Sequence, residues 1–102
     1  MSKQIVVEVA QFKLKSGVNE NDFLEVSQVA QDGFLSKHSG YIGRELFKKE
    51  DGSWVDMVRW ESMEDALEAM SKFMGDPSAK KFEEMIDPAT VQMMHLEQVK
   101  EF

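Results

Sequence analysis

The sequence predicts an α+β fold in which helices cover a four-stranded antiparallel sheet. Apolar residues alternate with a period of two in four segments, and they recur at helical spacing in two long segments and a short one. The dipeptide Asp51-Gly52 separates two of the strand segments and is typical of a hairpin turn. The segments follow one another as β-α-β-β-α-(short α)-β, which is the split β-α-β, or ferredoxin-like, arrangement. We expect one domain, residues 1–102, because a chain of 102 residues is too short for two.

The first strand and the first helix are predicted in the N-terminal third of the chain. The strand spans Gln4–Leu14, and both of its faces carry apolar residues. The helix that follows is capped by Asn19 or Asn21, and Gly40 ends it. Gly33 lies inside this helix and indicates either a close approach of another element or early fraying.

A hairpin and a second helix occupy the middle of the chain. The hairpin strands are Tyr41–Lys48 and Trp54–Trp60, and residues 49–53 form the turn between them. Ser62 is predicted to cap the second helix, with Asp65 reaching back to it. The apolar residues of this helix recur at helical spacing and are Ala66, Leu67, Met70, Phe73 and Met74.

The C-terminal part of the sequence predicts a short third helix and the last strand. Asp76 and Pro77 begin the helix as its cap and its first residue. Its charged residues are expected on a solvated face, and they are Lys80, Lys81, Glu83 and Glu84. The last strand is predicted over Thr90–Val99. Right-handed crossovers place the first and third strands at the centre of the sheet.

Composition and charge exclude several classes of function. The net charge of −7 opposes binding to nucleic acid and to anionic membranes. The chain has no cysteine, which excludes disulfides, thiolate catalysis and thiolate metal ligands. Its two histidines lie far apart, so we expect no metal site. The N-terminal apolar run is too short and too interrupted for a signal peptide or a membrane span, and we expect a cytoplasmic protein.

The predicted strands are apolar on both faces, although two helices and a short third one can cover only one side of a sheet. An uncovered apolar sheet face is an interaction surface. The sequence therefore predicts a homodimer in which two copies pack sheet on sheet around a two-fold axis.

Two stretches, Gly40-Tyr41-Ile42 and Val58-Arg59-Trp60-Glu61-Ser62 followed by Ala66, resemble the antibiotic biosynthesis monooxygenase family of the dimeric α/β-barrel superfamily. The resemblance covers roughly residues 4–100. It implies a ferredoxin-like protomer, a dimer whose two sheets form a barrel, and a pocket between the sheet and the helices. Members of the family include cofactor-free oxygenases of quinols and polycyclic phenols, and haem-degrading enzymes.

The sequence departs from the family at four positions. The resemblance implies that members of the haem-degrading branch carry an Asn in the first strand, a Trp in the second helix and an axial His in the short helix. Ala10, Ala69 and Phe82 stand at those places here, which disfavours haem chemistry. The resemblance also implies that the polycyclic-phenol branch carries an Asn four residues before the Trp of the third strand. This chain has Asp56 at that position. An ionised Asp accepts hydrogen bonds but cannot donate one.

Four residues are candidates for a site. His95 could deprotonate a phenol, since the pKa of a histidine lies near working pH, but a single histidine is more often a structural residue at a surface or dimer interface. Trp54, Asp56 and Trp60 share one face of the third strand, where two aromatic walls and a polar group suit a flat ligand. The two tryptophans could instead be core or dimer contacts. Asp56 needs a partner on an apolar face, and Arg44 or Arg59 could supply one.

Three functional hypotheses follow. The first is a cofactor-independent monooxygenase of a small aromatic or quinol-type substrate, with His95 as the base, Asp56 as an orienting group, and Trp54 and Trp60 as walls. The second is a homodimer that binds a small apolar molecule without catalysis. The third is a haem-binding protein in which His38 or His95 supplies the ligand.

Overall fold

The sheet is formed by four antiparallel strands in the order β2-β3-β1-β4, as the sequence predicted. The computed structural model describes residues 4–102. The strands are β1 (Val6–Phe12), β2 (Tyr41–Lys48), β3 (Trp54–Trp60) and β4 (Gln92–Glu97). The helices are α1 (Glu20–Gly33), α2 (Met63–Phe73) and α3 (Lys80–Glu84), and short 3₁₀ turns cover Leu35–Lys37, Pro77–Ala79 and Pro88–Thr90. In the described part of the chain, no helix is both long enough and apolar enough to cross a membrane.

The hairpin and the start of α2 have the bounds and the contacts that their residues predicted. Gly52 adopts a φ of 87°, which the turn requires, and the Asp51 carboxylate accepts a hydrogen bond from the Ser53 amide at 2.9 Å. The Ser62 hydroxyl accepts a hydrogen bond from the Asp65 amide at 3.1 Å and donates one to the Asp65 carboxylate at 2.9 Å. Each of these contacts is local in sequence, which is why the pattern predicts it.

Helix α1 begins where expected but ends earlier than predicted. Asn19 is the cap, and its side chain accepts hydrogen bonds from the amides of residues 21 and 22. The helix stops at Gly33 instead of running to Gly40, because Phe34 leaves the helical region with φ −133° and ψ −64°. Gly33 marks a close approach, since a Cβ at this position would lie 2.6 Å from the Ser78 Cβ.

The first and the last strands, β1 and β4, are shorter than the sequence predicted. After Phe12 the chain leaves the sheet, and Leu14 instead forms an isolated bridge with Ile86, the residue that follows α3 and its cap. The Lys15 amide donates to the Met85 carbonyl at 2.9 Å in the same place. At the other end, the 3₁₀ turn after Asp87 delays the start of β4 to Gln92.

The helices cover one face of the sheet, and the core divides into two clusters on that face. The first surrounds Trp60 and includes Val6, Leu35, Val58, Ala66 and Ala69. The second is mainly aromatic and consists of Phe12, Phe23, Ala30, Trp54 and Phe82. The strand register places Val7, Val9, Met57, Met94 and Leu96 on the opposite face of the sheet. On that face Met94 and Leu96 are 52% and 49% exposed.

Candidate functional site

A cavity of about 330 Å³ lies between the inner face of the sheet and helices α2 and α3. Its walls are largely apolar, with aromatic side chains from β1, β3, α2 and α3. They include Phe12, Trp60, Phe73 and Phe82. Three carboxyl groups also border the cavity, those of Glu8, Asp56 and Glu83. An apolar cavity with a few convergent polar groups is the usual form of a small-molecule site.

Glu8 and His95 form a hydrogen-bonded pair at the sheet side of this cavity. The register of β1 and β4 places the two residues directly opposite each other, and Glu8 Oε1 lies 3.0 Å from His95 Nε2. Both side chains are about 15% exposed or less. Burial raises the pKa of Glu8, and the hydrogen bond and charge of His95 partly offset this. Glu8 borders the cavity, whereas His95 reaches it only through Glu8.

Asp56 borders the cavity as a carboxylate whose charge is already compensated. The Arg44 guanidinium donates to both carboxylate oxygens, from Nε at 2.9 Å and from Nη2 at 2.8 Å. The same Nη2 donates to the Ser27 hydroxyl on α1 at 2.9 Å. The two charged side chains are only 6% and 11% exposed. The partner predicted for Asp56 is therefore Arg44, while Arg59 pairs with Glu45 on the opposite face.

The two tryptophans of β3 lie in different surroundings. Trp60 is fully buried and borders the cavity, and its indole Nε1 has no hydrogen-bond partner within residues 4–102. Trp54 does not border the cavity. Its ring packs against Phe23 with the centroids 5.0 Å apart, and the Lys48 ammonium lies 5.6 Å from its centroid. Of the four predicted residues, the structure brings Asp56 and Trp60 to the cavity and His95 next to it, and it places Trp54 in the aromatic cluster.

Sequence reasoning missed two residues of the site, Glu8 and Glu83. Glu8 occupies an inward position between Val6 and Ala10, and a carboxylate at a core-facing position was the available signal. Glu83 was expected on the solvated face of α3, but it is half-buried and borders the cavity, and its buried Oε1 has no hydrogen-bond partner among the described residues. Burial raises the pKa of Glu83. A helix of five residues gives too few turns for its pattern to define a polar face.

The three positions at which this chain differs from the haem-degrading branch all border the cavity. They hold Ala10, Ala69 and Phe82, and the Phe82 ring stacks on Phe23 with centroids 5.3 Å apart. Neither histidine borders the cavity: His38 Nδ1 lies 3.1 Å from the Ser39 carbonyl oxygen, and His95 bonds to Glu8. Across residues 4–102 there is no group of three acidic or histidine side chains that could hold a metal ion.

Comparisons with known proteins place the fold. No protein-family model matches the chain, and no curated protein matches it in sequence. Among solved structures, a proposed antibiotic biosynthesis monooxygenase from Bordetella bronchiseptica aligns with a TM-score of 0.78 at 18% identity, over 96% of this chain and 100% of that one. A mutant of SnoaB, a cofactor-independent oxygenase from Streptomyces nogalater, aligns with a TM-score of 0.72 at 17% identity, over 95% of each chain.

A third similar structure is a proposed antibiotic biosynthesis monooxygenase from Nitrosomonas europaea, with a TM-score of 0.73 at 10% identity, over 97% of this chain and 94% of that one. The chain is thus an α+β protein with a ferredoxin-like fold. More narrowly, it has the fold of the antibiotic biosynthesis monooxygenases, and the resemblance seen at Gly40-Tyr41-Ile42 and at residues 58–62 is confirmed at the level of the fold.

Proposed function

We propose that the protein is a cofactor-independent monooxygenase that acts on a small aromatic or quinol-type substrate in the cavity between the sheet and the helices. The observation that carries the proposal is the Glu8–His95 pair, because it brings a buried proton acceptor to the edge of an apolar, aromatic-walled cavity. The fold shared with a cofactor-independent oxygenase adds support.

The proposed first step is removal of a proton from a substrate hydroxyl. A general base must lie within hydrogen-bond reach of that proton, and Glu8 is the member of the pair that borders the cavity. His95 then orients Glu8 through the 3.0 Å hydrogen bond and shares the proton. Burial raises the pKa of Glu8, which brings the carboxylate closer to the basicity that a phenol requires.

The following steps use O₂ as the oxidant and need no cofactor. The phenolate passes one electron to O₂, and the resulting aryloxyl radical and superoxide combine at a ring C–H carbon to form a peroxide anion. This anion takes back the proton held at Glu8 and becomes a hydroperoxide. Loss of water then converts one ring C–H into a carbonyl, so that one oxygen atom enters the product and the other leaves as water. Trp60 forms one aromatic wall of the cavity, and the Asp56 carboxylate, held by Arg44, orients the ring of the substrate.

The test measures O₂ uptake with para-dihydroxynaphthalene, above the rate in buffer alone, for Glu8→Gln, His95→Ala and Glu97→Gln. Glu97 is an exposed carboxylate in the same strand as His95 and serves as the control. We expect Glu8→Gln to lose at least about 10²-fold in kcat, the lower bound for general-base catalysis, and His95→Ala to lose turnover with its fold intact. Unchanged turnover in Glu8→Gln would overturn the proposed base.

The alternative function is binding without catalysis. It uses the same cavity, and it predicts saturable quenching of tryptophan fluorescence that is insensitive to His95→Ala and is accompanied by no O₂ uptake above background. That combination of results would replace the monooxygenase proposal.

We also propose that a second copy of the chain covers the outer face of the sheet. Leu96 and Met94 leave about half of their surfaces exposed on that face, which favours association sheet on sheet. Leu96→Lys should shift light scattering from dimer to monomer, and Leu67→Lys, at a 44% exposed position on α2, should not. A sharp monomer peak for the unmodified protein at micromolar concentration would contradict the dimer.

A further inference from the structure

The polar groups of the cavity are unusual in that they are nearly all carboxyl groups. Glu8, Asp56 and Glu83 border the cavity, and no lysine, arginine or histidine within residues 4–102 borders it. The nearest guanidinium, that of Arg44, is engaged by Asp56 and Ser27. A ligand in the cavity therefore meets carboxyl groups on two sides, from the sheet and from α3, and no free cation from residues 4–102.

Glu83 is the only one of these three carboxyl groups without an ion-pair partner among residues 4–102. Its Oε1 is buried and accepts no hydrogen bond from residues 4–102, whereas Glu8 has His95 and Asp56 has Arg44. A ligand that carries a hydroxyl or N–H group can donate a hydrogen bond to the Glu83 carboxylate where this residue borders the cavity. A ligand carboxylate would instead place a second negative charge beside it without a cation to compensate.

We propose that Glu83, together with Glu8, makes the cavity selective for uncharged aromatic ligands that carry hydrogen-bond donors, and that it rejects their anionic analogues. This inference rests on the proposed function for the location of the site, and it adds the charge class of the substrate and a residue that determines specificity. Glu83 is a specificity residue here, since the proton leaves the substrate at Glu8.

The test compares three ligands by quenching of tryptophan fluorescence under anaerobic conditions at mildly alkaline pH. The ligands are para-dihydroxynaphthalene and its derivatives with a carboxamide or a carboxylate on the same ring carbon. The two derivatives have nearly the same shape, so the ratio of their Kd values reports the effect of charge. We expect the carboxylate to bind at least about tenfold more weakly than the carboxamide, a ratio equivalent to about 1.4 kcal/mol.

Two variants test whether Glu83 causes the difference between the Kd values of the carboxylate and the carboxamide. In Glu83→Gln the ratio should fall toward one, because the amide removes the negative charge and can donate to the carboxylate. Glu84→Gln is the matched control: it makes the same change of net charge at the next residue of α3, which is exposed, and it should keep the ratio of the unmodified protein. Circular dichroism of both variants checks that the fold is retained.

The outcomes separate this inference from the proposed function. Equal Kd values for the carboxylate and the carboxamide in the unmodified protein, or a ratio unchanged in Glu83→Gln, would overturn the selectivity. A clear ratio that depends on Glu83, without O₂ uptake above background, would support the selectivity and overturn the oxygenase. Failure of all three ligands to bind would overturn both.

Discussion

Replacing either member of the Arg44–Asp56 ion pair is expected to destabilise the fold by about 3–5 kcal/mol, because the other charge is left buried and uncompensated. An exposed ion pair contributes only about 0–1 kcal/mol, and the structure supports the larger value that applies to buried pairs. The two side chains are 6% and 11% exposed, and the guanidinium makes two hydrogen bonds to the carboxylate, at 2.9 and 2.8 Å. In Asp56→Leu, the Ser27 oxygens are the remaining acceptors that the structure gives Arg44.

Urea unfolding followed by tryptophan fluorescence at a fixed protein concentration measures the loss. With an m-value of about 2 kcal/mol/M, a loss of 4 kcal/mol lowers the midpoint by about 2 M. Arg44→Met and Asp56→Leu should each show such a shift. The double variant should recover most of the stability, since replacing both buried charges by apolar groups of similar volume is often neutral.

The control for this series is the exposed pair between Arg59 and Glu45, whose closest atoms are 3.0 Å apart and whose side chains are 41% and 56% exposed. Glu45→Gln should cost about 0–1 kcal/mol, because water screens an exposed pair. If Asp56→Leu costs no more than Glu45→Gln, the guanidinium is reached by water and the reasoning about the buried pair is refuted. If the double variant is as unstable as the single ones, packing and not charge holds this part of the site.

Two further predictions concern stability. Gly40→Ala should cost more than Gly17→Ala, because both glycines have a φ of 83° but only a Cβ at Gly40 would collide with the Asp65 side chain, which accepts a hydrogen bond from the cap residue Ser62. Equal shifts in urea midpoint would contradict this. Glu83→Gln should gain stability relative to the unmodified protein as the pH rises above 4.5, because burial raises the pKa of Glu83 in the folded state and its ionisation then opposes folding. Below that pH the gain should vanish. Thermal unfolding over a pH series measures the gain, and Glu84→Gln, which changes the net charge equally, is the control.

The hairpin and the caps could be predicted from the sequence because the contacts that define them lie within a few residues. Asp51 bonds to Ser53, and Ser62 bonds to Asp65, so the residue types and their spacing contain the whole interaction. The order of elements then fixes the sheet topology, since few arrangements connect β-α-β-β-α-β without crossings or left-handed connections. The sequence indicated a close approach at Gly33 as one of two possibilities, but it could not identify the partner, because Ser78 belongs to another element.

The pairing within the site could not be read from the pattern because it depends on register between strands that are distant in sequence. Glu8 and His95 are 87 residues apart and meet only because β1 and β4 pair in one particular register. Alternation placed Trp54 and Trp60 correctly on one face of β3, yet it could not say which elements cover each of them. Trp60 lies beside α2 and the cavity, whereas Trp54 lies against Phe23 of α1.

The fold of this chain does not determine the chemistry of its site. Structures only 10–18% identical share its architecture, so the fold is compatible with very different side chains at the same places. The polar groups of this cavity are an Asp56 compensated by Arg44, a Glu8 held by His95, and a Glu83 whose Oε1 has no partner among residues 4–102. Under the proposed function, a substrate donates a hydrogen bond to Glu83, gives a proton to Glu8 and carries no negative charge, and these three conditions restrict the candidate substrates more than the fold does.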